Sequence, residues 1–482
     1  MANAIHGGLR LEAHKERSRS KPLRDASTPA EVILPLDQHG GAAAVPVVEV
    51  GDTVSMGQPI ARPGADISAW LHAPVSGTVT AIEPRPSPNH MGAPTMSIVL
   101  ANDGRDVFAE SPRIDDFTAM DPTELREHIG RGGIVGLGGA AFPTAPKLLR
   151  AGQSRDFELL LNGAECEPYI SCDAILMREK ADEVVLGARI LMHALSTTRC
   201  TIALEDDTPE AEQALREAAR AAGANLEIVV LPGIYPAGGE RQLIEAVYGR
   251  EVPCDGLPQD IGILCHNVGT AAAIARWIRD GRPLISRIVT VTGAAVAEPA
   301  NLEVRLGTPI SRIIEDCGGY AGDVEQLIMG GSMMGTALPH DQLPVTKATN
   351  CVIVAGAADL QPRGPEMPCI RCGKCAEVCP ARLLPQQLHW FLHPPDHDAL
   401  ERLGLLDCIE CGCCDYVCPS QIPLAERFRE AKPDLAAALN ARRDAQDARA
   451  RFESRNERLA RWEAERRAKL EAKRREMKVS KP

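Results

Sequence analysis

The strongest constraint in this chain of 482 residues is a cysteine spacing that occurs twice. Cys369-x2-Cys372-x2-Cys375-x3-Cys379-Pro380 is followed by Cys408-x2-Cys411-x2-Cys414-x3-Cys418-Pro419. Three closely spaced thiolates on one turning segment wrap one side of an iron–sulfur cubane, and the fourth ligand comes from elsewhere. In a doubled motif the trailing cysteine ligates the other cluster, and the proline after it redirects the chain. The spacing therefore predicts two [4Fe-4S] clusters. One takes Cys369, Cys372, Cys375 and Cys418; the other takes Cys408, Cys411, Cys414 and Cys379. Zinc ribbons also use paired CxxC elements, but they have no need of a trailing x3-Cys-Pro, which here occurs twice. Cys413 reads as a bystander between two ligands. The 28 residues between the motifs have helical character, and His389, His393 and His397, near a Pro-Pro turn, read as surface residues.

Sixteen cysteines are many for a chain in a reducing compartment unless several hold metal. The eight outside the motifs are scattered, as structural thiols are. A net charge of −12 argues against nucleic acid as a partner. The charge is uneven: residues 440–482 carry 15 Lys/Arg against 8 Asp/Glu, which leaves −19 on the rest. No run approaches the roughly 18 apolar residues of a membrane span, and the N-terminus lacks the apolar stretch of a secretory signal. These features predict a soluble, cytoplasmic chain.

Five regions are expected: 1–115, 116–285, 286–360, 361–432 and 433–482. In the first, VVEVGDTVSMGQPIARP and LHAPVSGTVTAI look like the halves of a barrel-sandwich β-domain of the lipoyl/biotinyl type. No lysine lies between Lys21 and Lys147, so a lysine-borne cofactor is excluded and the domain is structural. Asp121, Pro122 and Glu124 predict a helix start. Strand-like runs (FELLLNG, RCTIALE, LEIVVLP, IGILCHNV) then alternate with helical patterns at 173–195, 209–222, 239–248 and 270–279. That alternation predicts an α/β layer with a largely parallel sheet. Residues 287–319 read as a small strand-rich unit with one short helix. Beyond Pro433 a charged helix with a thin apolar stripe is expected.

Four elements occur in order through the α/β region: GLGGAAFPTAPK (136–147), NGAECEP (162–168), YPAGGE (235–240) and HNVGT (266–270). Glycines let backbone N–H groups approach a phosphate, and a helix N-terminus adds a favourable dipole. Taken together these elements resemble the FMN- and NADH-binding subunit of respiratory complex I. With IHGGLRLEAHKERSRSKPL, the barrel-like segment and the doubled cysteine motif, residues 5–430 resemble the C-subunit family of Rnf (Rsx) ion-translocating electron transport complexes. The strand-rich unit is similar to the β-grasp module of the same proteins.

The resemblance implies that Gly136, Gly138, Gly139 and Lys147 cradle the phosphate and ribityl chain of non-covalent FMN. Asn162, Glu165 and Glu167 would lie by the isoalloxazine and nicotinamide, the two glutamates in catalytic roles. Tyr235, Gly238, Gly239 and Glu240 would wall the dinucleotide site, and Asn267 would contact the flavin phosphate. The chain departs from the complex I pattern at Leu137, Ala141 and Ala164, where relatives place arginine, glycine and aspartate.

The fold class so predicted is multidomain α/β: a barrel-sandwich domain, a flavin-binding domain, a β-grasp unit, a helical two-cluster ferredoxin domain and a charged tail helix. The implied function is that of a peripheral subunit on the cytoplasmic face of the inner membrane. It would exchange hydride with NAD(H) at FMN and relay single electrons through two clusters. Membrane and iron–sulfur subunits would be its partners, with ferredoxin the indirect redox partner and ion translocation the result. Two rivals are a soluble diaphorase subunit of a hydrogenase or formate dehydrogenase, and a non-catalytic iron–sulfur scaffold with a decayed flavin site.

Overall fold

The computed structural model of the chain describes residues 5–479 except 91, 112, 152–156, 255 and 361–363. The region boundary expected at 361 and the first four residues of the N-terminal stretch lie outside these. Alternating burial turns the N-terminal region into two small antiparallel sheets. One runs Glu31–Pro35, Pro94–Asn102, Gly77–Pro86, Thr53–Val54; the other runs Val45–Pro46, Pro59–Arg62, Leu71–His72. Val32, Leu34, Ile60, Leu71, Val79 and Leu100 form their buried core, which is continuous with the core of the next region.

That region opens with helix α1 (Pro122–Arg131), whose Asp121 cap accepts the Thr123 amide at 2.8 Å. Helix α2 spans Thr144–Ala151. Four short apolar runs become parallel strands: β1 (Glu158–Gly163), β2 (Cys200–Glu205), β3 (Glu227–Leu231) and β4 (Ile263–Asn267), in sheet order β3-β2-β1-β4. Helices α3 (Cys172–Glu179), α4 (Ala181–Ala194), α5 (Pro209–Ala221), α6 (Glu240–Tyr248) and α7 (Val268–Asp280) connect or follow them.

The pattern at 173–195, expected as one helix, breaks at Lys180 (φ −133°, ψ 38°). The break frees the Lys180 ammonium to reach Glu303 at 2.7 Å, a distant contact to which helical periodicity is blind. The strand order reverses at β1, with β2 on one side and β4 on the other. The carboxyl ends of β1 and β4 therefore frame the crevice where open α/β sheets bind ligands.

The strand-rich unit is larger than 287–319. Strands β5 (Ser286–Thr292), β6 (Ala300–Arg305), β7 (Gln326–Met329), β8 (Thr336–Leu338) and β9 (Cys351–Ala355) form one sheet, with helix Ile310–Asp316 against it. Arg24–Asp25 adds a sixth, parallel strand at the β6 edge. A pairing across almost three hundred residues leaves no local trace in the sequence.

This unit is locked to its neighbours by buried polar contacts. Fully buried Lys347 donates to the carbonyls of Trp70 in the barrel domain and Gly133 in the α/β domain, both at 2.7 Å. Glu303 on β6 binds Lys180 and Arg276 at 2.7 and 2.6 Å.

The cysteine region consists of short helices followed by α8 (Leu424–Val479). Helix α8 starts before the expected Pro433 and runs through it, because Phe428 and Leu435 fill the core of the cysteine domain. Further on Phe452, Leu459, Trp462 and Leu470 are exposed. Among the described residues, no helix is long and apolar enough to cross a membrane.

Candidate functional site

The four glycine- and asparagine-bearing elements meet at the β1/β4 crevice. Asn162 and Asn267 end adjacent strands in register. The Asn162 side chain donates to the Gly238 carbonyl at 2.8 Å and accepts the Ala164 amide at 3.0 Å, tying NGAECEP to YPAGGE. Asn267 caps α7 by accepting the Gly269 amide at 2.8 Å, and donates to Asp173 at 2.6 Å. The glycine-rich loop is held from below: Leu137 N–H donates to Thr270 Oγ1 at 3.0 Å, and its carbonyl accepts from buried Arg287 at 3.0 Å. Lys147 donates to Glu240 at 2.7 Å and to the Cys265 carbonyl at 2.6 Å, so two further elements are joined.

The exposed rim of this loop suits an anion. Gly139 sits at φ +109°, and nothing lies within 4 Å of where its Cβ would project. Among the described residues, the Gly138 and Gly139 amides have no hydrogen-bond acceptor. The N-terminus of α7 lies alongside, because Asn267 approaches the Gly138 Cβ position within 3.4 Å. Free amides and a helix N-terminus are donors that a phosphate group needs, whereas the Lys147 ammonium is paired with Glu240.

The two glutamates read as catalytic are turned inward. The Glu165 carboxylate accepts the Asp173 amide at 2.9 Å and the Ala174 amide at 3.3 Å at the start of α3. The Lys15 ammonium donates to the Glu165 carbonyl. Glu167 accepts the Met333 and Met334 amides at 3.1 and 2.9 Å, so it holds a turn of the β-grasp unit. Burial outweighs those two bonds and raises its pKa to about 7. Burial likewise lifts Asp173 and Glu205 to about 7, Asp173 with a push from neighbouring Glu165.

Tyr235 stands apart from the other residues of its element. It is 3% exposed, and its hydroxyl donates to the Cys411 carbonyl at 2.7 Å, inside the cysteine domain. Lys15, Asp173 and Arg287 were not singled out from sequence. The Lys15–Glu165, Asp173–Asn267 and Arg287–Leu137 contacts span more than ninety residues and the Arg287–Lys347 contact sixty, and no local motif pairs them.

The eight motif cysteines gather into two cavities. One is lined by Cys379, Cys408, Cys411 and Cys414, the other by Cys369, Cys372, Cys375 and Cys418, so each motif contributes its last cysteine to the other's cavity. The backbone repeats as well. Arg371 and Glu410, each two residues after the first cysteine, take φ +57°, and each turns its amide toward that cysteine's sulfur at 3.4 Å. Among the described residues, no three of these sulfurs lie within 4.8 Å of one another. A single zinc with bonds of about 2.3 Å would draw its thiolates to roughly 3.8 Å. Cys413 is fully buried between Cys411 and Tyr235 and lines the first cavity. Of the three histidines, His393 is exposed, whereas half-buried His389 lines the second cavity.

Family models match in the same order along the chain. They are the RnfC barrel sandwich hybrid domain (residues 3–105), the Nuo51 FMN-binding domain (129–276), the SLBB domain (288–337) and a 4Fe-4S dicluster domain (368–422). The class defined by fold and site is thus a protein joining an FMN-binding domain to an iron–sulfur domain.

Curated relatives narrow the class. The C-subunit of the ion-translocating oxidoreductase complex from Pseudomonas aeruginosa is 49% identical over 97% of this chain and 60% of its own length. The proteins of the same name from Klebsiella pneumoniae and Serratia proteamaculans are 44% and 42% identical, each over 96% of this chain and over 61% and 65% of their own. The chain is similar over nearly its whole length to the C-subunits of ion-translocating oxidoreductase complexes. It spans about three fifths of the length of the relatives it matches. A solved NAD+-reducing [NiFe]-hydrogenase chain aligns more loosely, at TM-score 0.47 and 20% identity over 66% of this chain and 61% of that one.

Proposed function

We propose that this chain exchanges hydride with NAD(H) at FMN held on the β1/β4 crevice and passes single electrons through two [4Fe-4S] clusters. Its partners are membrane and iron–sulfur subunits on the cytoplasmic face, with ferredoxin as the distant redox partner and ion translocation as the coupled work. The observation that carries this reading is one of placement. The anion-ready loop belongs to the α/β domain, and one cavity of the cysteine domain is tied to that same domain through the Tyr235–Cys411 hydrogen bond.

A flavin links two-electron nicotinamide chemistry to one-electron cluster chemistry, which neither centre does alone. The residues of the chain supply the rest. Gly136, Gly138, Gly139 and the start of α7 would hold the phosphate, with Lys147, paired here with Glu240, as the cation of that cradle. From the ends of adjacent strands, Asn162 would lie by the isoalloxazine and Asn267 would contact the flavin phosphate. Gly238, Gly239 and Glu240 border the approach of the dinucleotide. Glu165 holds the start of α3 and Glu167 a turn of the β-grasp unit, each through backbone amides. Cys369, Cys372, Cys375 and Cys418 hold one cluster, and Cys379, Cys408, Cys411 and Cys414 the other.

Visible spectroscopy of the anaerobically reconstituted protein tests this directly. About eight irons and eight sulfides are expected, with a flavin band that NADH bleaches. Lys147→Ala should release flavin without loss of iron. A protein with full clusters that takes up no FMN would leave the scaffold reading in its place.

A further inference from the structure

We propose that Tyr235 is a positioning residue for electron transfer, holding the Cys411 peptide so that the cavity of Cys379, Cys408, Cys411 and Cys414 is the flavin-side centre. The set of Cys369, Cys372, Cys375 and Cys418 is then the exit centre. This inference deepens the proposed function and rests on its two-cluster reading.

The two cavities differ in what surrounds them. The first is pressed against the α/β domain, with the Tyr235 hydroxyl 2.7 Å from the Cys411 carbonyl. The backbone of Tyr235 is itself pinned. Leu9 and Tyr235 exchange both backbone hydrogen bonds, at 2.7 and 2.9 Å, and the Gly8 amide donates to the Val378 carbonyl at 2.9 Å, beside Cys379. The N-terminal segment thus straps the two domains together. From the β-grasp side, Met333 packs into the same apolar cluster as Tyr235, Cys411 and Cys413. Its turn is the one that Glu167 holds. Among the described residues the second cavity has no such cover: Cys372 is exposed, Ile370 is 68% exposed and Trp390 54%.

A buried hydroxyl on a ligand residue's carbonyl fixes that peptide and changes the hydrogen bonding around the centre. Both influence a cluster's reduction potential. Oxidation of NADH to NAD+ and a proton releases two electrons, one for each centre, and no bond to Tyr235 forms or breaks.

The test uses the full chain reconstituted with iron and sulfide, with the two centres distinguished by Cys372→Ser and Cys408→Ser. Dithionite titration followed by electron paramagnetic resonance needs no flavin, so it reads the role of Tyr235 even if FMN does not bind. Tyr235→Phe should shift the reduction equilibrium of the centre that survives Cys372→Ser by about threefold or more. It should leave the centre that survives Cys408→Ser unmoved. Hydrogen exchange at 409–413 should rise in Tyr235→Phe while that at 369–375 stays constant.

With FMN and NADH added, Cys372→Ser should retain fast reduction of its remaining cluster and Cys408→Ser should lose it. A shift confined to the other centre, or no shift and no change in exchange, would overturn the positioning role. Fast NADH reduction that survives Cys408→Ser but not Cys372→Ser would reverse the order of the centres. Failure of NADH reduction alone, with the dithionite result intact, would count against the flavin reading instead.

Discussion

The two cysteine motifs have the same spacing, the same positive-φ residue after the first cysteine and the same proline after the last. Yet they sit in different surroundings. Around Cys411 the chain places a tyrosine, a buried extra cysteine and parts of three other regions; around Cys372 it leaves a ligand and an isoleucine in solvent. Spacing decides how a centre is gripped. Everything more remote in the chain decides what it is next to, and that sets direction in an electron path.

The largest effect should come from removing the strap that makes this difference. Gly8 takes φ +78°, and a Cβ there would lie 2.6 Å from the Tyr235 carbonyl oxygen. Gly8→Val should therefore cost about 2–4 kcal/mol of local docking, by backbone strain plus overlap. Limited proteolysis should cut near residues 5–11. Iron loss should fall on the Cys379/Cys408/Cys411/Cys414 set while the other set keeps its iron. Equal loss from both sets would break the comparison.

A smaller effect should follow pH, again on the enclosed side. Glu167 has its pKa raised from 4.5 to about 7 by burial. The native state then binds more protons than the unfolded chain between roughly pH 4.5 and 7. The group's contribution to stability is thus fully present below that window and lost as pH rises through it, at most on the order of 1.4 kcal/mol per pH unit. Glu167→Gln carries no titratable proton, so its melting temperature should fall less between pH 5 and 7.5 than that of the wild type. Parallel melting curves would mean that Glu167 does not hold its proton in the fold.

Much of this arrangement is legible in the sequence, for reasons that differ by region. Cluster motifs and glycine loops are local: their chemistry needs fixed residue types at fixed spacing, so they read directly. The alternation of β1 to β4 with helices reads well too, because apolar periodicity is a property of a short window. The α/β, barrel-sandwich and strand-rich readings agree with the observed domains. What did not read are contacts that join distant segments. Arg24–Asp25 as an edge strand, Lys180 as a helix break serving Glu303, Arg287 beneath Leu137 and Tyr235 against Cys411 all depend on chain geometry that no local pattern carries. Tyr235 was visible as part of a ligand-binding element, but its direction was not.

The smallest effect concerns the tail. Helix α8 begins as part of the cysteine domain: Leu424 lines the outward cavity, and Ala425 and Phe428 line the enclosed one. Leu435 is still fully buried. From 440 onward the described side chains are exposed, and the few large apolar ones point into solvent. Interspersed acids and a thin apolar stripe make a poor membrane-surface helix, even where individual lysines and arginines would each gain about 1 kcal/mol near anionic lipid. Truncation before Asn440 should therefore leave iron content, melting temperature and both cluster signals unchanged. The truncated and full chains should sediment with membranes only when the membrane subunits are present. Loss of iron from either set on truncation would show that the exposed turns reach back to the clusters. Tail-dependent binding to bare anionic vesicles at physiological salt would make the tail, and not partner proteins, the link to the membrane.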